Sequence, residues 1–248
     1  MPNTIILIPS RMSASRLPGK PLLKINNLPI ISHVFNKAKK TNIGRVVVCT
    51  EDEEILNEVK KNGGEAILTS KNHKSGSDRI LEGFNNLNVK DTDYILNLQG
   101  DEPNIESNDI VNLNKLMINH NSDIGTMATI INDKSMLSNK NIVKVFSREK
   151  LNKNNFPFAL DFSRDDLSHK YKNIYHHIGI YIFKVKVLQK FVNLKQTKNE
   201  IVSRLEQLRA LENNIKINVG LAKFSPIGVD AMEDYLALKK NMEYKLKK

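Results

Sequence analysis

The chain contains a single cysteine, no tryptophan and only 6% aromatic residues in 248 positions. One thiol excludes a disulfide framework, and Cys49 sits in the apolar run Val46–Cys49, the setting of a buried structural thiol rather than a nucleophile or ligand. Aromatics this sparse, and not interleaved with basic residues, argue against a base-stacking surface for nucleic acid. There is no apolar run of membrane-spanning length. The amino-terminal stretch Thr4–Ile8 is too short for a secretory signal and lacks a basic start, so a soluble cytoplasmic protein is expected, without membrane or nucleic-acid partners. No His/Cys cluster has zinc spacing; His176 and His177 are adjacent and point to opposite faces of a strand, so only one can face a given site.

Acidic residues are outnumbered: 38 Lys and Arg against 27 Asp and Glu leave a net charge of +11. That balance permits polyanionic partners of any size. Much of it is diffuse lysine, including the tail residues Lys239, Lys240, Lys245, Lys247 and Lys248, and reads as solvation.

The concentrated cations are elsewhere. Thr4–Ile8 reads as a buried strand and empties into PSRMSASRLPGKPL, residues 9–22, which places Arg11, Arg16 and Lys20 in one loop. Pro18, Gly19 and Pro21 restrict the backbone around Lys20, and Ser13 and Ser15 add hydroxyls. A strand running into such a turn is how α/β proteins present donors to a phosphorylated ligand at the carboxyl edge of a sheet. The plain alternative is a solvated basic loop. The loop matches neither G-x-x-x-x-G-K-[ST] nor G-x-G-x-x-G.

Beyond it, strands alternate with helices: helical spacing from Ile30 to Ala38, a strand at 45–50, a helix at 51–62 closed by Gly63-Gly64, a strand at 65–68, a helix at 77–87, a strand at 93–98 and a helix at 107–120. This order predicts a mostly parallel sheet covered on both faces. The second half is less regular, with strands expected at 141–147, 157–162, 174–183 and 215–221. A single helix face is marked by Ile201, Leu205, Leu208 and Leu211. We read it as an antiparallel extension of the sheet. No Pro/Gly/Ser-rich linker separates the halves, so residues 1–248 are taken as one domain with an inserted lobe.

Two turn-borne carboxylates stand out. Asp101 follows the strand at 93–98 in Gln99-Gly100-Asp101-Glu102-Pro103, and Asp230 precedes a helix beginning near Glu233. An Asx turn and a helix cap are their ordinary explanations. Together with a cationic loop they are enough to hold Mg²⁺ on a nucleotide, since that ion takes one or two carboxylates plus substrate phosphates.

The segments PSRMSASRLPGKPL, HKSGSDR (73–79), LQGDEP (98–103), HIGIYIF (177–183), LEQLR (205–209) and GVDAMED (228–234) resemble, in order and over nearly the whole chain, the 3-deoxy-manno-octulosonate cytidylyltransferases. The resemblance implies a Rossmann-like nucleotide-diphospho-sugar transferase fold, α/β with a mixed, mostly parallel sheet. It further implies a homodimer made through an antiparallel lobe within about 132–200. The implied reaction joins CTP and 3-deoxy-D-manno-octulosonate (Kdo) to give CMP-Kdo and pyrophosphate for lipopolysaccharide biosynthesis. Arg11, Ser13, Arg16 and Lys20 match the triphosphate loop, and Ser75, Gly76 and Arg79 match the segment near cytosine. On residue type alone Arg79 would be a helix-surface cation. Gln99, Arg164, His177, Tyr181, Glu206 and Gln207 match the sugar-acid site, and Asp101 and Asp230 the Mg²⁺ ligands. The catalytic set is then Arg11, Lys20, Asp101 and Asp230.

The chain departs from the pattern at Asp161 and at Asp165–Ser168, which bears on the sugar rather than on CTP. Ala231-Met232 replaces a common Thr-Pro, a weaker helix start. Another 3-deoxy-2-keto sugar acid, 8-amino-Kdo or a sialic-acid relative, is the alternative substrate. A glycosyltransferase and a nucleic-acid binder are the more distant ones.

Overall fold

The β-branched and apolar runs of the first half form strands, and the segments between them form helices. The computed structural model describes residues 2–13 and 16–246, with side chains through residue 243. In chain order the strands are β1 (Thr4–Ser10), β2 (Lys24–Ile25), β3 (Leu28–Pro29), β4 (Val46–Thr50), β5 (Ala66–Leu68), β6 (Tyr94–Asn97), β7 (Ile124–Ile130), β8 (Lys144–Ser147), β9 (Ala159–Ser163), β10 (Ile174–Lys184) and β11 (Ile217–Leu221). The helices are α1 (Ile30–Lys39), α2 (Glu53–Lys61), α3 (Gly76–Asn86), α4 (Ser107–His120), α5 (Ser135–Ser138), α6 (Val185–Val192), α7 (Lys198–Ser203), α8 (Gln207–Glu212) and α9 (Met232–Leu246). They divide into two compact units. The first comprises Asn3–Thr92, Asn97–Ile110 and the chain from Pro226; the second comprises Asp93–Leu96 and Val111–Ser225.

In the first unit β1, β4 and β5 pair in parallel, with Ile6 opposite Val46 and Val48 opposite Ala66. Side chains of β4 are buried along its whole length, which is why its sequence is continuous in Val rather than alternating. Cys49 is fully buried there and its thiol is pushed up to about 12 by burial, so it is an inert packing group. Asn26 and Asn27, both at positive φ, close the β2–β3 hairpin. Gly63, at φ 75, ends α2 as its glycine predicts.

A small core cluster in this unit joins the two ends of the chain. Leu17 of the basic loop, Ile25 and Ile30 pack with Val229, Tyr235 and Leu238. The Tyr235 hydroxyl also donates to the Lys24 carbonyl at 2.7 Å. Apolar burial thus ties the carboxy-terminal helix to the first loop across more than two hundred residues of sequence. The start of α9 is not weak: the Asp234 carboxylate accepts from the N–H groups of Asp230 (3.1 Å) and Ala231 (2.9 Å), taking the place of a side-chain cap.

The second unit carries strands in the order β11-β7-β10-β6, with β8 bonded to β10 and β9 to β8. Pairing of β10 with β7 and β8, and of β8 with β9, is antiparallel, while β11 runs parallel to β7. Sequence patterning does not mark β7, because six of its seven residues are buried and no alternation results. Gly125 on this strand is forced by packing, since a Cβ there would stand 2.8 Å from Met117 Sδ and Phe156 Cζ. The helix expected to align Ile201 with Leu211 is instead two short helices. Arg204, left-handed at φ 52, breaks it, and Ile201 is exposed while Leu205 and Leu208 are buried.

Candidate active site

The basic loop after β1 is held closed by backbone donors rather than left to solvent. Met12 N–H donates to Asp52 Oδ2 at 2.7 Å and Gly19 N–H to the Met12 carbonyl at 3.0 Å. Gly19 supplies the left-handed φ of 74 that lets the chain turn into Lys20. A cavity of about 300 Å³ lies over the end of β1, with Arg11, Arg16, Lys20, Gln99, Asp101 and Asp230 on its wall. Ser13 is exposed on the loop and does not line the cavity, and Ser15 lies outside the described residues. Gly100 permits the close approach of this wall to β1: a Cβ would sit 3.0 Å from the Pro9 carbonyl oxygen and 3.1 Å from Ile31 Cδ1.

Lys20 is the hub. Its ammonium, on a side chain 14% exposed, donates to Asp101 Oδ2 at 2.5 Å and to the Val229 carbonyl at 2.9 Å, and stands 3.6 Å from Asp230 Oδ1. Asp101 and Asp230, distant in sequence, therefore converge on one cationic point. The Val229 N–H in turn donates to the Asp101 carbonyl at 3.0 Å, locking the two turns together by backbone. Arg16 reaches Asp230 at 2.9 Å, but both side chains are more than half exposed, so this pair orients charge and adds little stability. The donor chemistry, two carboxylates with all-oxygen ligation and room for phosphates, fits Mg²⁺.

Glu102 belongs to the same group of acids but is held mainly in its neutral form. Burial, reinforced by the charges of Asp101 and Asp230 and opposed by Lys20, raises its carboxyl to about 8, and its Oε2 is buried with no hydrogen-bond partner among the described residues. Sequence reasoning misses it, its only trace there being its place beside Asp101.

The other end of the same cavity is built by α3. Ser75 caps this helix: its hydroxyl accepts from Asp78 N–H at 3.2 Å, and Ser75 N–H donates to Asp78 Oδ2 at 3.1 Å. Gly76 lies on the cavity wall, where a Cβ would stand 3.2 Å from Pro9 Cγ. Arg79 is not a surface cation. It is 3% exposed, paired with Glu51 and donating to Thr69 Oγ1 at 2.7 Å, and from that buried position it forms part of the cavity wall. His73, also on the wall, is gripped by Glu82, which accepts from Ser70 N–H as well. These contacts among loops 50–52, 69–75 and α3 have no signal in local sequence. Because Glu51 is nearly buried, Glu51→Gln should cost about 3 kcal/mol of stability by stranding the Arg79 charge, read as a drop in the urea midpoint at unchanged m.

Five of the six residues expected to bind the sugar acid lie in the second unit. Gln99, the sixth, lies on the wall of the cavity over β1. A register shift in the β10–β7 pairing between Ile178 and Tyr181 brings His177 and Tyr181 together, ring centroids 5.4 Å apart. Burial lowers His177 to about 3, so the ring is neutral. Thr126 Oγ1 donates to the Ile180 carbonyl at 2.8 Å, which leaves it to accept from His177 Nε2–H at 2.9 Å and makes Nδ1 the acceptor. The Tyr181 hydroxyl is buried with no hydrogen-bond partner among the described residues. Glu206 and Gln207 open α8, whose Arg209 is buried against Glu200 and lies 3.8 Å from Glu206 Oε1. Arg164 directs Nε to the Ser203 carbonyl at 3.4 Å and Nη1 to that of Lys140 at 3.2 Å.

A family model for cytidylyltransferases matches residues 5–217 of this chain. The 3-deoxy-manno-octulosonate cytidylyltransferase of Thermodesulfovibrio yellowstonii is 42% identical over 247 residues, covering 93% of this chain and 94% of that protein. The protein of the same name from Bartonella henselae is 40% identical over 237 residues, covering 95% and 97%. Among solved structures, CMP:2-keto-3-deoxy-manno-octonic acid synthetase complexed with CTP gives a TM-score of 0.88 at 31% identity, over 98% of this chain and 99% of the other. UDP-glucose pyrophosphorylase complexed with UDP-glucose, at 15% identity and TM-score 0.72 over 99% and 100% of the two chains, shares the fold alone. The chain belongs to the cytidylyltransferase family of α/β nucleotidyltransferases. Within that family it is a member of the 3-deoxy-manno-octulosonate cytidylyltransferases.

Proposed function

We propose that the protein transfers the cytidylyl group of CTP to Kdo, forming CMP-Kdo and pyrophosphate, in the cytoplasm and as a homodimer, for lipopolysaccharide biosynthesis. The observation that carries this reading is the convergence of Lys20, Asp101 and Asp230 in a cavity that also holds Arg11 and Arg16. That combination suits a triphosphate with its metal ion. The names of the relatives supply the base and the sugar.

The sugar acid's anomeric C2 oxygen attacks the α-phosphorus in line, with pyrophosphate leaving. Arg11, Arg16 and Lys20 bind the β- and γ-phosphates and stabilise the charge that grows on the leaving group. Asp101 and Asp230 would hold Mg²⁺, which when bound neutralises phosphate oxygens and acidifies the attacking hydroxyl. Ser75, Gly76 and Arg79 shape the end of the cavity that takes cytosine. Arg164 pairs with the C1 carboxylate of the sugar, a match of guanidinium to carboxylate. His177, Tyr181, Glu206, Gln207 and Gln99 hydrogen-bond the hydroxyls.

The test is pyrophosphate release with CTP, Mg²⁺ and Kdo, set against UTP and a panel including 8-amino-Kdo and sialic acid. Turnover with CTP and a different sugar acid alone would replace Kdo as substrate; none with any sugar acid rejects the reaction. In the active enzyme Arg164→Ala should raise the KM for the sugar acid by on the order of 10²-fold and leave that for CTP within about twofold.

A further inference from the structure

Lys144 opens β8, yet its side chain is fully buried. No carboxylate of the described residues forms an ion pair with it. Its ammonium instead donates to three backbone carbonyls, those of Asn139 (3.0 Å), Ile142 (3.0 Å) and Arg164 (2.5 Å). The two carbonyls between the first pair point to the Arg164 guanidinium: Nη1 donates to Lys140 at 3.2 Å and Asn141 at 3.5 Å. Four consecutive carbonyls, 139 to 142, are thus shared between two cations, and one of those cations also grips the backbone of the other's residue.

A buried ammonium with no carboxylate in ion-pair contact is costly, and burial accordingly pulls its pKa down, opposed by the charges of Asp165 and Asp166 and reinforced by that of Arg164. The same segments would fold more cheaply around a neutral side chain if packing were all that mattered. What the ammonium adds is direction. Each carbonyl it takes is one fewer acceptor competing for the guanidinium, and its bond to the Arg164 carbonyl fixes the point from which that side chain extends. With Nε and Nη1 occupied by backbone, Nη2 is the part of Arg164 that no partner engages among the described residues.

We propose that Lys144 is a positioning residue for sugar-acid recognition, holding segment 139–142 and the Arg164 backbone so that Nη2 of Arg164 is presented to the substrate carboxylate. This rests on the assignment of the sugar acid as substrate under Proposed function. A displacement of the guanidinium by about 1 Å is enough to cost on the order of 10- to 100-fold in productive binding.

Lys144→Met keeps the length and removes the donors. The expected result, in steady-state assays of pyrophosphate release, is a KM for Kdo raised on the order of 10- to 100-fold with the KM for CTP within about twofold. The double variant Lys144→Met, Arg164→Ala should then be no worse than Arg164→Ala alone, because Lys144 acts through Arg164. Additive losses, equal rises in both KM values, or an unchanged KM for Kdo would overturn the role. If Lys144→Met does not fold, hydrogen exchange on the wild-type enzyme decides: Kdo, but not CTP alone, should slow the amides of 141–142 and 164–165, and no protection there overturns the proposal. Wild-type protein inert with Kdo, CTP and Mg²⁺ would remove the functional reading itself, an outcome distinct from an active wild type whose Lys144→Met variant keeps its sugar-acid KM.

Discussion

Asp101→Asn should lower kcat for pyrophosphate release by on the order of 10³-fold while leaving the protein folded. The substitution is isosteric, and the turn that carries Asp101 is held through its backbone: the Val229 N–H donates to the Asp101 carbonyl, which the change does not touch. What is lost is one of two carboxylates meeting at Lys20, the one in direct contact at 2.5 Å. With a single acid remaining, magnesium affinity in the presence of CTP should fall, and excess Mg²⁺ should recover only part of the rate. Calorimetric binding of Mg²⁺-CTP, thermal unfolding and the rate together separate a metal defect from misfolding. Turnover near that of the wild type would take Asp101 out of the proposed metal site.

Lys20→Met should produce a second large loss, on the order of 10² in kcat, with a signature of opposite sign in metal binding. The ammonium sits between Asp101 and Asp230 and offsets their mutual repulsion. Removing it leaves Asp101 without its cation and Asp230 with only the exposed Arg16, so a divalent ion should bind the free enzyme more tightly even as catalysis fails. Mn²⁺ titration followed by electron paramagnetic resonance reads the first effect and pyrophosphate release the second. Weaker Mn²⁺ binding, or an undiminished rate, would show that Lys20 neither bridges the acids nor serves the triphosphate.

Helix and strand signals are legible wherever one side chain type has one job. Val46–Cys49 is apolar throughout because both faces of its strand are covered, and Gly63 ends α2 because only a left-handed residue closes that turn. Residues with two jobs are not legible. Thr126 lies on a strand that sequence patterning does not mark, yet its hydroxyl fixes the tautomer of His177. Arg79, next to Asp78 on a helix, looks solvent-facing, yet it is buried against Glu51 from a loop 28 positions earlier. Lys144 has unremarkable neighbours and Glu102 only its place beside Asp101; what sets them apart is the burial of Lys144 and of Glu102 Oε2, which depends on what packs over them.

The amino-acid order alone determined the α/β class, the cationic loop after the first strand and the two candidate acids, since each rests on periodicity or on residue types within a dozen positions. It could not bring Asp230 to Lys20. That meeting depends on Val229, Tyr235 and Leu238 burying themselves against Leu17, Ile25 and Ile30. Apolar burial is blind to sequence distance and carries no directional mark, so only the folded chain shows which charges it draws together.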